Sequence, residues 1–191
     1  MRRSLLMLTL VLASTVSILA LVRAESPRDD KEIVVKLGDL SSKAPAGWVE
    51  EKTTSNMRLK QFKVPGKDGK DPAELIVFFF GKGSGGSVED NLKRWRGMFT
   101  TADGKQSDDM GKVEKSKVGD IEVTSLDIEG TYLTKFPPFA PNAKTIPKPK
   151  QRMISVVFGS QDGPFYIRLV GPAATVESQK KNFEEWIKAF K

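Results

Sequence analysis

The chain has 191 residues, a net charge of +7, no cysteine and no histidine. These numbers exclude disulfides, a lipid-modified cysteine, Ser-His-Asp and Cys-His catalysis, and His/Cys zinc or haem sites. What remains is carboxylate, lysine, tyrosine or Ser-Lys chemistry, metal held by oxygen ligands, or binding without catalysis.

The N-terminus reads MRRSLLMLTLVLASTVSILALVRAES. Arg2 and Arg3 precede a largely apolar stretch from Leu5 to Val22, and Val22 and Ala24 occupy the −3 and −1 positions of a small-residue cleavage site. This is the pattern of a secretory signal peptide, residues 1–24. The alternative is an uncleaved membrane anchor, because the stretch is just long enough to span a bilayer. Cleavage leaves 167 residues and, with Arg2, Arg3 and Arg23 gone, a net charge of +4. Such a length suits one domain able to bury about 70% of its unfolded surface. The charge is too mild to indicate nucleic acid. No later apolar run is long enough to span, so the cleaved protein is expected not to be integral to a membrane. An exported chain without cysteine suits a bacterial envelope, periplasmic or secreted, better than a disulfide-dense eukaryotic module.

Residues 25–31 read as a loose new N-terminus, and one domain is expected over 32–191. EIVVKL (32–37) fits a short strand. SSKAPAGW (41–48) reads as a turn leading into WVEEK. MRLKQFKVP (57–65) alternates with mixed faces, as a strand near an edge does. GKDGKDP (66–72) is a turn. AELIVFFFG (73–81) is continuously apolar and predicts a central strand covered on both faces.

Next comes FFFGKGSGGSVEDNLKRW (78–95). Gly81, Gly83 and Gly86 have G-x-G-x-x-G spacing, and Gly85 adds a fourth glycine. A dinucleotide site needs this loop between a strand and a helix, followed by a parallel strand ending in an acid. The next segment instead reads as a hairpin. Ser87 with Asp90 makes a capping box, so Glu89 and Asp90 already supply negative charge to the helix start. No Gly-Lys-Ser/Thr follows. No nucleotide is therefore expected, and the glycines read as a tight turn or an exposed binding loop.

Val88, Leu92, Trp95 and Phe99 recur at helical spacing, in a helix expected to end near TTADGK (100–105). Residues 112–133 predict a hairpin turning at Gly119-Asp120, and the apolar parity shifts from Ile121 and Val123 to Leu126 and Ile128. A bulge near Thr124-Ser125 would explain the shift. FPPFAPNAKTIPKPK (136–150) holds five of the 11 prolines and reads as a long loop. Residues 153–172 predict a second hairpin turning at 161–163, with Phe165, Ile167 and Leu169 on one face. Thr175 would cap a last helix with the stripe Phe183, Trp186, Ile187 and Phe190. The fold class is thus α+β, with a mainly antiparallel sheet and two main helices. Trp48, Trp95 and Trp186 read as core.

Acid pairs at 50–51, 89–90 and 108–109 lack convergent or calcium-loop spacing, and read as solvated. The stronger candidate is basic. Residues 130–161 contain no acid but include Lys135, Lys144, Lys148, Lys150 and Arg152, with Phe136 and Phe139 among prolines. Such a segment can grip an anionic polymer or an acidic protein; it also suits a loop pinned by its phenylalanines.

APAGW (44–48), RLKQFKVP, AELIVFFFG, the glycine loop, SVEDNLKRW, two hairpins and a last helix together resemble the PsbP-like (Mog/PsbP-type) superfamily, in particular its exported bacterial branch. The resemblance spans about residues 32–190. It implies an α/β/α sandwich and a non-enzymatic role in partner binding or assembly, and carries over no binding residue, cofactor or metal. The expected function is an exported binding module engaging an envelope protein or anionic polymer. The alternatives are a carboxylate- or metal-dependent hydrolase and a purely structural envelope protein.

Overall fold

The computed structural model describes residues 32–137 and 140–191. The signal segment and Phe139 therefore lie outside the described residues.

In chain order the strands are β1 (Val34–Leu37), β2 (Leu40–Lys43), β3 (Val49–Glu50), β4 (Arg58–Val64) and β5 (Ala73–Phe79). Helix α1 (Val88–Arg96) follows, then β6 (Phe99–Thr100), β7 (Lys112–Val118), β8 (Ile121–Phe136), β9 (Lys144–Phe158), β10 (Phe165–Pro172) and helix α2 (Ala173–Lys188). Strands β3 to β10 form one sheet in the order β3-β4-β5-β10-β9-β8-β6, with β7 also paired to β8. Every pairing in it is antiparallel. The α+β reading from sequence is what the chain adopts.

Helix α2 covers one face of the sheet. Val176, Phe183, Trp186 and Ile187 pack there on Leu75, Val77, Val156, Ile167 and Leu169. Helix α1 lies on the other face, where Trp95 packs with Leu126, Ile128, Met153, Val157 and Tyr166. Strand β5 is central, between β4 and β10, and sends residues to both clusters. All three tryptophans are buried. Trp48 meets Trp186 edge-on at 5.4 Å and donates its indole N–H to Gln179 at 3.2 Å.

Five local expectations need correction. Residues 41–43 are not turn but strand β2, which pairs with β1 and ties down the chain end through Ser41 N–H to the Lys191 carbonyl at 3.0 Å. Helix α1 ends at Arg96, capped by Gly97; Phe99 opens a strand yet stays in the same apolar cluster. There is no bulge at Thr124-Ser125, where pairing is continuous on both sides of β8. The parity shift arises because both faces are buried: Ile121 and Val123 face the α2 layer, Leu126 and Ile128 the α1 layer. The irregularity sits instead between Gly130 and Tyr132. Thr175 does not cap α2. Pro172 holds the cap position, and the Thr175 hydroxyl, fully buried, donates to the Asp71 carbonyl at 2.7 Å.

The fifth correction matters most for function. The proline-rich segment is not a long loop, because β9 begins at Lys144 and pairs with β8 as far out as Phe136. Strand β10 pairs with β9 only over 151–158, so from Lys144 to Lys150 the strand has a partner on one side alone. Proline is tolerated where no second ladder needs its N–H. This explains how Pro147 and Pro149 fit in a strand.

Phe183→Ala removes a ring that is 1% exposed at the centre of the α2 layer. It should cost about 3–5 kcal/mol, read as a fall in the urea midpoint with an unchanged slope.

Candidate functional site

The second half of the glycine loop is bound into the fold, while Lys82, Gly83 and Ser84 are exposed. Gly81, Gly83, Gly85 and Gly86 all have positive φ, between 75° and 89°, the region glycine enters without steric penalty. Gly85 lies flat against Tyr166; a Cβ there would sit 2.5 Å from the phenol oxygen. That phenol donates to the Gly86 carbonyl at 3.1 Å, and the Asn91 amide donates to the Gly85 and Ser87 carbonyls at 2.9 and 2.8 Å. Ser87 and Asp90 complete the capping box. Asp90 N–H donates to Ser87 Oγ at 3.0 Å, and Ser87 Oγ–H to the Asp90 carboxylate at 2.7 Å. The Ser87 hydrogen bonds hold the Asp90 pKa below its ordinary value. A phosphate arriving at this helix start would meet that carboxylate. The strand after α1 is β6, which joins the sheet beside β8, far from β5.

The basic segment forms a two-stranded arm, the outer ends of β8 and β9. Its register pairs Tyr132 with Lys148, Leu133 with Pro147, Thr134 with Ile146, Lys135 with Thr145 and Phe136 with Lys144. The arm departs from the sheet at the irregularity beside Gly130. A Cβ on Gly130 would lie 2.5 Å from the Thr100 carbonyl oxygen, so only glycine allows β6 to approach so closely. Across the ladder Lys150 takes a φ of 56°, an uncommon conformation for a lysine. Lys135, Lys144, Lys148 and Lys150 are exposed and form no ion pair with any described residue. Phe136 is 63% exposed and Ile146 44%.

Arg152 is set apart from these lysines. Its guanidinium donates to both oxygens of Asp127 at 2.7 Å and also pairs with Glu177 of α2. Lys180 of α2 reaches the same Asp127 carboxylate at 2.7 Å. The network ties β8 and β9 to α2, so the Arg152 charge is spent on the fold. Burial raises the Asp127 pKa, but the hydrogen bonds from Arg152 and Lys180 outweigh it and leave a net lowering.

The arm also encloses space. The Leu133 N–H donates to the Met98 carbonyl at 2.8 Å, and the Tyr132 ring packs on Phe99 at 5.1 Å. This fixes the arm beside the end of α1. Helix α1 has nine residues and leaves the rest of its face open. Between helix, arm and sheet lies a groove of about 1210 Å³, with Arg58, Arg94, Arg168, Lys135 and Lys148 among its lining. Arg58 pairs with Glu74 at 2.6 Å. Sequence reasoning missed these arginines. Arg168 in FYIRLV was the available signal, as a charge within a strand otherwise apolar on both faces.

The acid pairs do not converge. Glu50 pairs with Lys60 at 2.6 Å, while Glu51 accepts from the Gln61 amide at 3.4 Å. Among the described residues no group of three or more acids could hold a metal ion, and no helix is long and apolar enough to cross a membrane.

An antiparallel sheet with one helix layer on each face, its longest strands prolonged into an arm, defines an α/β/α sandwich. The fold is PsbP-like. The solution structure of cyanobacterial PsbP (CyanoP) from Synechocystis sp. PCC 6803 aligns with a TM-score of 0.54 at 10% identity, covering 90% of this chain and 98% of that one. A Pseudomonas aeruginosa protein of unknown function aligns at a TM-score of 0.40, also with 10% identity, covering 82% of this chain and 94% of its own. No protein-family model and no curated protein matches the sequence.

The Asp127 network generates a prediction with a definite sign. A carboxylate whose pKa is lowered on folding stabilises fully above its ordinary value, about 3.9, and loses that contribution as pH falls through the lowered native value. Asp127→Asn should cost about 2 kcal/mol at neutral pH. The cost should shrink in acid, read as converging melting temperatures of variant and parent below that pH.

Proposed function

We propose that this protein is an exported, non-enzymatic binding module of the cell envelope, and that it engages an acidic protein surface or anionic polymer through the β8–β9 arm. Export rests on the signal-peptide pattern of residues 1–24. The binding reading rests above all on one observation: the arm carries four exposed lysines without described ion-pair partners, beside exposed Phe136 and Ile146. Held in a ladder, these side chains lose little backbone freedom on binding, so less of the interaction energy is consumed in ordering. Apolar side chains beside solvated cations give short-range contact as well as long-range attraction. The basic surface narrows to Lys135, Phe136, Lys144, Lys148 and Lys150; Arg152 serves the fold, and Phe139 stays in the proposal on sequence alone. The glycine loop is not part of the proposed surface, because the Gly85 and Gly86 carbonyls and the helix start have internal partners.

The test uses poly-glutamate as an anionic probe, titrated at stepwise salt concentrations. Binding to the parent protein should weaken as salt rises, since exposed charges are screened within a Debye length of about 10 Å at 0.1 M. Replacing Lys135, Lys144, Lys148 and Lys150 by glutamine should reduce affinity at low salt and flatten the salt dependence, with an unchanged melting temperature. Equal affinity and equal slope would remove the arm as the binding surface.

A further inference from the structure

The groove contains a charge that the fold does not neutralise. Arg168 projects from β10 onto the α1 face, between the buried neighbours Tyr166 and Val170. Among the described residues no carboxylate lies within ion-pair distance of it. Its guanidinium carbon sits 4.9 Å from the centre of the Phe78 ring, and one Nη donates to the Met98 sulfur at 3.4 Å. Its Nε–H is buried and has no acceptor. Burial pushes its pKa below the ordinary arginine value, yet a guanidinium stays charged in proteins. A buried charge without a partner is costly, and a donor left without an acceptor adds to that cost. By contrast, Arg152 has two carboxylates as partners.

Arg168 is also not alone. Arg94 of α1, Lys135 and Lys148 of the arm, and Arg58 of β4 line the same groove. The acids there are Glu74, which Arg58 engages, and Asp71. Five cations thus face two carboxylates. An aromatic ring behind the guanidinium holds its plane in place, and a held guanidinium fork matches two oxygens of one planar or tetrahedral anion. The volume, about 1210 Å³, exceeds the usual range for small-molecule sites, about 300–1,000 Å³, so the anion can be carried on a larger organic body.

We propose that the groove between α1 and the β8–β9 arm is a binding site for a multiply charged oxyanion, a carboxylate or phosphoryl group borne on an organic ligand, with Arg168 as the anchor and Arg94, Lys135 and Lys148 as the surrounding cations. The site shares Lys135 and Lys148 with the arm surface, whereas Lys144 and Lys150 do not line it. Substitutions at Lys144 and Lys150 therefore separate binding in the groove from binding of a large partner.

Calorimetric titration of the purified protein with two probes, citrate for carboxylate and pyrophosphate for phosphoryl chemistry, tests it. At least one probe should bind at millimolar concentration or below and raise the melting temperature, and the preferred probe identifies the anion class. Arg168→Met should weaken that binding by about tenfold or more. It should also raise the melting temperature of the unliganded protein, because an unpartnered buried charge is replaced by an apolar chain. Arg94→Gln, at an exposed helix position, should weaken binding to a smaller extent, with its melting temperature read alongside because Arg94 also donates to the buried Asn91. The double variant Lys144→Gln/Lys150→Gln should bind the probe as the parent does. Failure of both probes to bind, or equal affinity in Arg168→Met and parent, would overturn the proposal.

Discussion

The sheet must bury both of its faces at once, and most other features follow from that demand. Odd residues of β8 and β10, such as Val123, Phe165, Ile167 and Leu169, enter the α2 layer; the even residues Leu126, Ile128, Tyr166 and Val170 enter the α1 layer. Each strand therefore needs an unbroken register, since a slip by one residue would exchange the two layers. The register shifts between Arg58 and Lys60 at the start of β4, and at Gly130, near the left-handed Lys150, where the arm begins. The core and the candidate functional surface are thus two ends of the same two strands.

The two helix layers are unequal, and the inequality places the groove. Helix α2 has 16 residues, and its layer includes the β1–β2 hairpin, giving a broad cluster. Helix α1 has nine residues and a smaller cluster, so the sheet beyond it is left to Arg58, Ile76, Arg168 and Val170. The contrast between Arg152 and Arg168 separates structural from available charge. Arg152 binds Asp127 and Glu177 and joins three elements; Arg168 lies between an aromatic ring and a thioether with no described counter-ion. Electrostatics that serve the fold tend to be closed networks, and an open one at a groove marks a place where stability has been given up.

Much of this was legible in the sequence. The continuous apolar run at 73–79 marked the central strand, Ser87 and Asp90 marked the helix start, and Phe183, Trp186, Ile187 and Phe190 marked the α2 stripe. What was misread had physical reasons. Prolines at 147 and 149 signal loop because an inner strand cannot hold them, but composition does not reveal that β9 has an open side at those positions. The parity change across Thr124-Ser125 looked like a bulge because alternation was judged for one buried face rather than two. Of the candidate binding residues, four lysines and Phe136 come together on the arm. Arg152 does not, because its partners Asp127 and Glu177 lie 25 residues away on either side. The groove arginines come from three separated elements, so only the folded chain brings them together.

The central claim is that this protein works through the arm side of the sandwich rather than through the glycine loop. The most direct measurement is site-specific photo-crosslinking in living cells, with the reactive residue at Ile146 on the arm or at Lys82 in the glycine loop, both exposed. The account predicts a discrete crosslinked partner from position 146 and none from position 82. Capture from position 82 with none from 146 would contradict it and return the functional surface to the glycine loop.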